Sequence, residues 1–331
     1  MKYGLLIYGE SRNNLINIGD YIQSIAARQF LPTVDLFVER DQLNLSTIDD
    51  VKIIMNGWFT HRPENWPPSK NINPLFVSFH LNKSVAEKMM ASKDIVNYFK
   101  NHGPIGCRDH DSVRRMQQAD IDSYYSGCLT TTLNYDGNLF KEEPQKGNKI
   151  ILADVLFKDD VRLRFKRNKL YIIRDILNGD IIKLNKVRKY IDKLIPVENK
   201  KEVSSLTCYF DANISHELRF EHAHKILKQL ASAKVVVTSR IHIALPCLAL
   251  GTPVLFVFGG QLANLGEFRR LDGIINMMNV LVDDDFDTSA EHLKGINFLR
   301  RGEIDWDKPP TNPNHYLKIR EDLIKKCESF I

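Results

Sequence analysis

Arg240 and His242 sit where a β-branched apolar run, Val235-Val236-Val237-Thr238, gives way to Ile243-Ala244-Leu245-Pro246. That pattern reads as a buried parallel strand turning into a helix, and open α/β sheets bind ligands at the carboxyl ends of such strands. A helix N-terminus adds free backbone N–H groups and a positive dipole end, which suits phosphate or carboxylate. Arginine grips such an anion through two parallel hydrogen bonds, and histidine exchanges a proton near neutral pH. Together they make a transferase-like site for a small anionic substrate.

Five further stretches carry candidate chemistry. In Asn17-Ile18-Gly19-Asp20-Tyr21 the glycine lets the backbone turn and approach a ligand, although Asp20 is equally explained as a first-turn acid at a helix start. Gly106-Cys107-Arg108-Asp109-His110 places Arg108 between an expected strand and helix; the bland alternative is a surface pair with Asp109 or Asp111, worth about 0–1 kcal/mol. Ser126-Gly127-Cys128-Leu129-Thr130 offers small hydroxylic residues for phosphate or sugar, or simply a turn. His216 opens a helix, where a capping or satisfied buried role is the common one. His80 and Asn82 end a strand and have the polarity to bind sugar hydroxyls.

The elements that must position these groups alternate between strand and helix. Strands are expected at Lys2–Tyr8, Val34–Val38, Val51–Met55, Leu75–Phe79 and Asp122–Tyr125, with helices at Gly19–Phe30, Ser84–Phe99 and Asp111–Gln118. Ser84 and Glu87 suggest a capping box. The polar run Lys141–Asn148 reads as a linker, after which Ile150–Val155 opens a second series. That series continues through a strand at Ser204–Phe210, a helix at Glu217–Ser232, strands at Lys234–Thr238 and Pro253–Phe258, and a final helix at His315–Phe330. The fold class is therefore α/β: two Rossmann-like domains, 1–145 and 146–312, in a glycosyltransferase-B-like arrangement, with a C-terminal helix, 313–331, returning to the first domain. The active site of such an arrangement is the cleft between the halves.

Bulk properties agree with a chain of this size. At 331 residues two domains are the natural expectation, and 43% hydrophobic with 26% charged residues is ordinary for a globular protein. No run approaches the roughly 18 apolar residues of a membrane span, and the N-terminus reads as a first strand rather than a signal peptide, so a cytoplasmic location is expected. Five scattered cysteines, Cys107, Cys128, Cys208, Cys247 and Cys327, suggest neither disulfides nor a zinc site. The net charge of +5 is modest, but Lys158 to Lys201 is rich in Lys and Arg. Such a stretch suits a solvated surface or an anionic membrane face; no nucleic-acid-binding signature accompanies it.

Taken in order, NIGDYIQSIAA, IGCRDHDSVRRM, SGCLTTTL, SHELRFEHAHKIL and VVVTSRIHIALPCLALGTPVLFV resemble the polysaccharide pyruvyl transferase family, from Asn17 to Val257. The resemblance implies transfer of the carboxyethylidene group of phosphoenolpyruvate to two hydroxyls of a sugar, forming a cyclic ketal and releasing phosphate, with no separate cofactor. It implies that Arg108 and Arg240 hold phosphoenolpyruvate and that His242 is catalytic, as acid or as base. Ile241 stands where the family usually has leucine, and its backbone N–H is left able to touch the donor. The acceptor is then expected near Asn17, Asp20 and His80, with His216 and Ser126 in support. Such an acceptor belongs to a cell-surface polysaccharide or its polyprenyl-diphosphate-linked precursor, and the basic 158–201 segment would rest on the inner membrane face. Two other readings compete: a nucleotide-sugar glycosyltransferase, with Glu267 as a ribose-binding acid, and a non-catalytic carbohydrate-binding homologue.

Overall fold

The computed structural model describes residues 1–9, 14–45, 50–156, 180–258 and 268–331. Among these, the strands form two six-stranded parallel sheets and one antiparallel pair. The first sheet contains β1 (Lys2–Ile7), β3 (Leu36–Glu39), β4 (Val51–Phe59), β5 (Ile72–Leu81), β6 (Ile105–Cys107) and β7 (Ser123–Tyr125), in the order β3-β1-β4-β5-β6-β7. The second contains β8 (Ile150–Ala153), β9 (Val203–Leu206), β11 (Val235–Thr238), β12 (Val254–Val257), β13 (Asn279–Val282) and β14 (Asn297–Arg300), in the order β14-β13-β12-β11-β8-β9. In each sheet the chain moves one way from its first strand and then reverses. The reversals open crevices beside β1 and β4 in one sheet and beside β8 and β11 in the other, where such folds bind ligands.

The central strands of the second sheet are buried along their whole length, IILA, VVVT, VLFV and NVLV. Continuous apolar runs are what a sheet covered on both faces requires. β13 and β14 lie beyond the expected elements. Asn279–Val282 carries a plain apolar signal, whereas Asn297–Arg300 is a half-exposed edge strand without one.

Two expected elements are broken. The helix expected over Ser84–Phe99 is two, Lys83–Met90 and Lys93–Asn101. The first buries Ala86 and Met89 and the second Ile95 and Phe99. One turn beyond Met89 lie Ser92 and Lys93, so a single straight helix would present polar residues to the core; the break resets the apolar face. The cap is Asn82, whose Oδ1 accepts from the Ser84 N–H at 3.1 Å, and not Ser84 itself. The strand expected over Ser204–Phe210 is also two. Val203–Leu206 joins the second sheet beside β8, while β10 (Tyr209–Asp211) pairs antiparallel with β2 (Leu15–Asn17). Between them the Cys208 N–H is bound by Asp154 Oδ2 at 3.0 Å, and the Cys208 carbonyl accepts from Ile18 N at 2.8 Å. The chain thus crosses from one sheet to the segment that feeds the first long helix.

That helix, α1 (Ile18–Arg28), packs against His216–Ser232 of the second half. The C-terminal helix, Tyr316–Phe330, ends at the amino edge of the first sheet, where Lys52 Nζ donates to the Phe330 carbonyl at 2.5 Å. Half of the basic 158–201 segment, 158–179, lies outside the described residues; the described half includes the helix Asp180–Leu194. Glu267 also lies outside them. No helix among the described residues is long and apolar enough to cross a membrane.

Candidate active site

Arg108 leaves the end of β6 and is 2% exposed. Its backbone N–H is bound by the Phe79 carbonyl at 2.9 Å, which fixes the start of the side chain. The guanidinium crosses to the other half of the molecule, placing Nη1 3.4 Å from His242 Nε2. Its Nε lies 3.9 Å from the Asp109 carboxylate but makes no hydrogen bond. A buried donor left unsatisfied is costly, and here it belongs to a cation that reaches His242 of the other half.

Arg240 and His242 open the helix Ile241–Ala249. Arg240 occupies the cap position, with its N–H bound by Thr238 Oγ1 at 3.0 Å. The Arg240 Nε donates to Asp154 Oδ2 at 2.7 Å, and the guanidinium lies over the Tyr209 ring at 4.2 Å. Asp154 follows β8 and Arg240 follows β11, so this ion pair bridges the crevice where the second sheet reverses. Neither Asp154 nor Tyr209 was among the residues the sequence singled out. Asp154 carried a readable signal, an acid directly after a four-residue apolar run. Tyr209 was hidden within what read as one strand.

His242 is held against the first half by contact with α1. A Cβ on Gly19 would lie 3.1 Å from both His242 Cβ and Asn17 Oδ1, so glycine is what permits the approach. Burial and then the charges of Arg108 and Arg240 push the imidazole well below its ordinary range. Arginine can only donate, so a hydrogen bond across this 3.4 Å contact requires the His242 tautomer with its proton on Nδ1.

The other candidates fall into two groups. Asp20 lies in the first turn of α1: burial holds its carboxyl above the usual carboxylate range, against the charges of Arg40, Arg240 and Arg108. Its Oδ1 accepts from Gln23 Nε2 at 3.1 Å. His80 lies behind Arg108 and binds Asp109 Oδ2 through Nδ1 at 2.5 Å, while Asp109 Oδ1 also caps the helix His110–Gln118 through Ser112 N. Burial lowers the His80 pKa, and Arg108 adds to this against the pull of Asp109. Ile241 is half-buried beside the core, with its backbone at the first turn of the helix.

Asn17, Ser126 and His216 have local partners instead. Asn17 Oδ1 caps α1 by accepting from Gly19 N at 3.1 Å. Ser126 Oγ accepts from Ser78 N at 2.9 Å and lies 3.0 Å from the Cys107 carbonyl, bracing β5 against β6. His216 Nδ1 shares a 2.6 Å hydrogen bond with the Tyr21 hydroxyl, which also accepts from Arg219 Nη1 at 2.9 Å. Arg219 Nη1 further donates to the Tyr8 carbonyl at 2.7 Å, so this network ties the two halves together behind the cleft.

One more cation comes from a segment the sequence left unassigned. Arg270 contributes positive charge to the surroundings of His80, Arg108 and His242. Its neighbours clasp the first half: the Asp272 carbonyl accepts from His110 N at 3.1 Å, and the Gly273 carbonyl from Tyr125 Oη at 2.7 Å. Gly273 has φ +93, and a Cβ there would lie 2.8 Å from Tyr125, so only glycine fits the clasp. The site therefore gathers the charges of Arg108, Arg240 and Arg270 around His242, whose imidazole they and burial push toward the neutral form. Among the described residues no group of three His, Cys, Asp or Glu side chains is placed to hold a metal.

Comparison with known proteins adds a family. A family model described as polysaccharide pyruvyl transferase matches residues 17–258. Among solved structures, a functionally uncharacterised protein from Klebsiella pneumoniae shares 11% identity, covering 89% of this chain and 92% of its own, with a TM-score of 0.42. No curated protein matches the sequence.

Proposed function

Since this chain belongs to the polysaccharide pyruvyl transferase family, we propose that it moves the carboxyethylidene group of phosphoenolpyruvate onto two hydroxyls of a polysaccharide sugar, with release of phosphate. The observation that carries this reading is the meeting of Arg108, from the first sheet, with His242, beside Arg240, from the second. Phosphoenolpyruvate has a carboxylate and a phosphate a few bonds apart. Two arginines from facing halves suit such a donor, since each can take one anion and their joint engagement orients C2 in the cleft. The unsatisfied Arg108 Nε gains a partner when an anion arrives. The N–H of Ile241, at the helix start, adds a backbone donor beside Arg240.

His242 acts first as a base in this scheme, because burial and the charges of Arg108 and Arg240 hold its pKa well below the ordinary value and so favour the neutral imidazole. It accepts the proton of the attacking sugar hydroxyl. The acceptor lies on the first-sheet side, against Asp20; Asn17 shapes that wall by capping α1, and His80 holds Asp109 beside Arg108. Support from Ser126 and His216 is indirect, through the bracing described above. The paired sheets and the C-terminal helix returning to Lys52 are consistent with a glycosyltransferase-B-like arrangement whose halves close on the donor. The donor carries its own activation, so no separate cofactor enters the scheme. A lipid-linked acceptor would be met at a membrane surface, for which the basic 158–201 segment supplies positive charge.

The test is phosphate release from phosphoenolpyruvate across a panel of sugar acceptors, for the native chain and for His242→Ala. The variant is expected to lose at least about 10²-fold in turnover with donor binding retained. Near-native turnover in the variant would remove His242 from the chemistry.

A further inference from the structure

Between the C-terminal helix and β7, the edge strand of the first sheet, lies a cavity of about 610 Å³. That size falls within the roughly 300–1,000 Å³ of small-molecule sites. Tyr124, Tyr125 and Ser126 wall it on the strand side. From the helix come two apolar side chains, Ile319 and Leu323, and two charged ones, Asp322 and Lys326. The transfer chemistry makes no use of it.

The walls are preformed. Tyr125 is fixed by its hydroxyl, which donates to the Gly273 carbonyl at 2.7 Å, and by a stack on His110 with ring centres 4.4 Å apart. The Tyr124 hydroxyl reaches over Gly106, where a Cβ would lie 2.7 Å from it, so glycine is what admits the ring. A Cβ on Gly127 would meet Ile319 at 2.6 Å, so glycine also lets the helix dock against the strand end.

The polar groups are unspent. Asp322 and Lys326 are one helical turn apart, the spacing at which an acid and a base commonly pair. Instead, Lys326 Nζ lies over the Tyr124 ring, 4.3 Å from its centre. The Asp322 carboxylate has no hydrogen-bond or ion-pair partner among the described residues. Lys325 adds a second cation at the exposed lip, yet an anionic ligand would still meet Asp322 and the C-terminal half of the helix, whose dipole repels it. A neutral sugar uses both signs, because each hydroxyl can accept from an ammonium and donate to a carboxylate. Its apolar C–H face suits tyrosine rings, which are apolar in body and polar at the tip.

Strand register sets this cavity beside the candidate active site. Cys107 pairs with Tyr125, so the next residues, Arg108 and Ser126, stand at neighbouring strand ends, about 5 Å apart across the sheet. We propose that the cavity between β7 and the C-terminal helix binds a neutral sugar unit of the acceptor polysaccharide, one that flanks the unit being pyruvylated. The inference rests on the pyruvyl-transfer reading above for the identity of the polymer. Asp322 accepts from hydroxyls of the flanking unit and Lys326 donates to them.

The probe is the producing cells' own polysaccharide, stripped of ketals by mild acid and cut to neutral tetra- to hexasaccharides, beside its component monosaccharides. Native KM is expected to be at least about tenfold lower for the oligosaccharides. Asp322→Ala/Lys326→Ala keeps good helix formers on the helix and should raise the oligosaccharide KM at least about tenfold. Its monosaccharide KM, its kcat and its phosphoenolpyruvate Kd should stay within about threefold of native. An unchanged oligosaccharide KM in the variant, an equal rise for monosaccharides, or a native preference for acidic over neutral fragments overturns the proposal. If the native chain does not turn over phosphoenolpyruvate, calorimetry with the same oligosaccharides decides separately. Binding lost in the variant then upholds the cavity while the donor reading falls, and equal binding or none overturns it.

Discussion

Asp154→Asn isolates the charge that holds Arg240. Asp154 has φ +46, a conformation that asparagine tolerates, so the change removes a charge at little backbone cost. The side chains of Arg240 and Asp154 are 10% and 7% exposed, and their 2.7 Å contact is screened little by solvent. Exchanging a charge-assisted bond for a neutral one costs about 1 kcal/mol, and leaving a buried cation wholly unpaired costs about 3–5 kcal/mol. An amide keeps one acceptor in place, and the Tyr209 ring still lies under the guanidinium, so the expected loss is about 2–3 kcal/mol. Urea unfolding of native, Asp154→Asn, Arg240→Met and the double variant measures it. The double variant should lose less than the sum of the two singles, because each single already breaks the same contact. A loss below about 0.5 kcal/mol, or a double variant as weak as the sum of the two singles, would refute the bridging role of Asp154.

Gly19→Ala should separate stability from turnover. The added methyl favours the helix by up to about 1 kcal/mol, yet it meets His242 Cβ at 3.1 Å and shifts the imidazole by a few tenths of an ångström. Turnover is expected to fall about tenfold with donor Kd nearly unchanged, and calorimetry alongside phosphate release checks both. The two buried histidines also predict an acid-labile fold. His242 and His80 have folded pKa values below the ordinary 6.5, so the unfolded chain takes up protons that the folded chain refuses. Stability is then full above about pH 6.5 and is lost as pH falls toward the folded values, by up to about 1.4 kcal/mol per pH unit for each group. Urea midpoints at pH 7, 6 and 5 should show this slope reduced in His242→Gln; an identical slope would contradict it.

The residues legible in the sequence are those whose setting is local. Arg240 and His242 stand out because a four-residue β-branched run must be a strand, and residues directly after it must lie at a strand end. Arg108 was visible for the same reason, but its competing reading as a surface pair fails: it is buried and spans the halves. The features that stayed hidden depend on contacts distant in the chain. Nothing near Tyr209 marks the crossing at Cys208, because that crossing is set by Asp154 and Ile18. Arg270 comes after a stretch without periodicity, and its place depends on the clasp of Asp272 and Gly273 to His110 and Tyr125. The break after Met89 was recoverable, since the apolar spacing fails there by one turn.

The donor is the central claim, and calorimetric titration of phosphoenolpyruvate into the native chain and into Arg240→Ala tests it most directly. The account predicts saturable binding by the native chain, weakened at least about tenfold in the variant through loss of a charge-assisted contact. No binding by the native chain, or equal binding by both, would contradict it.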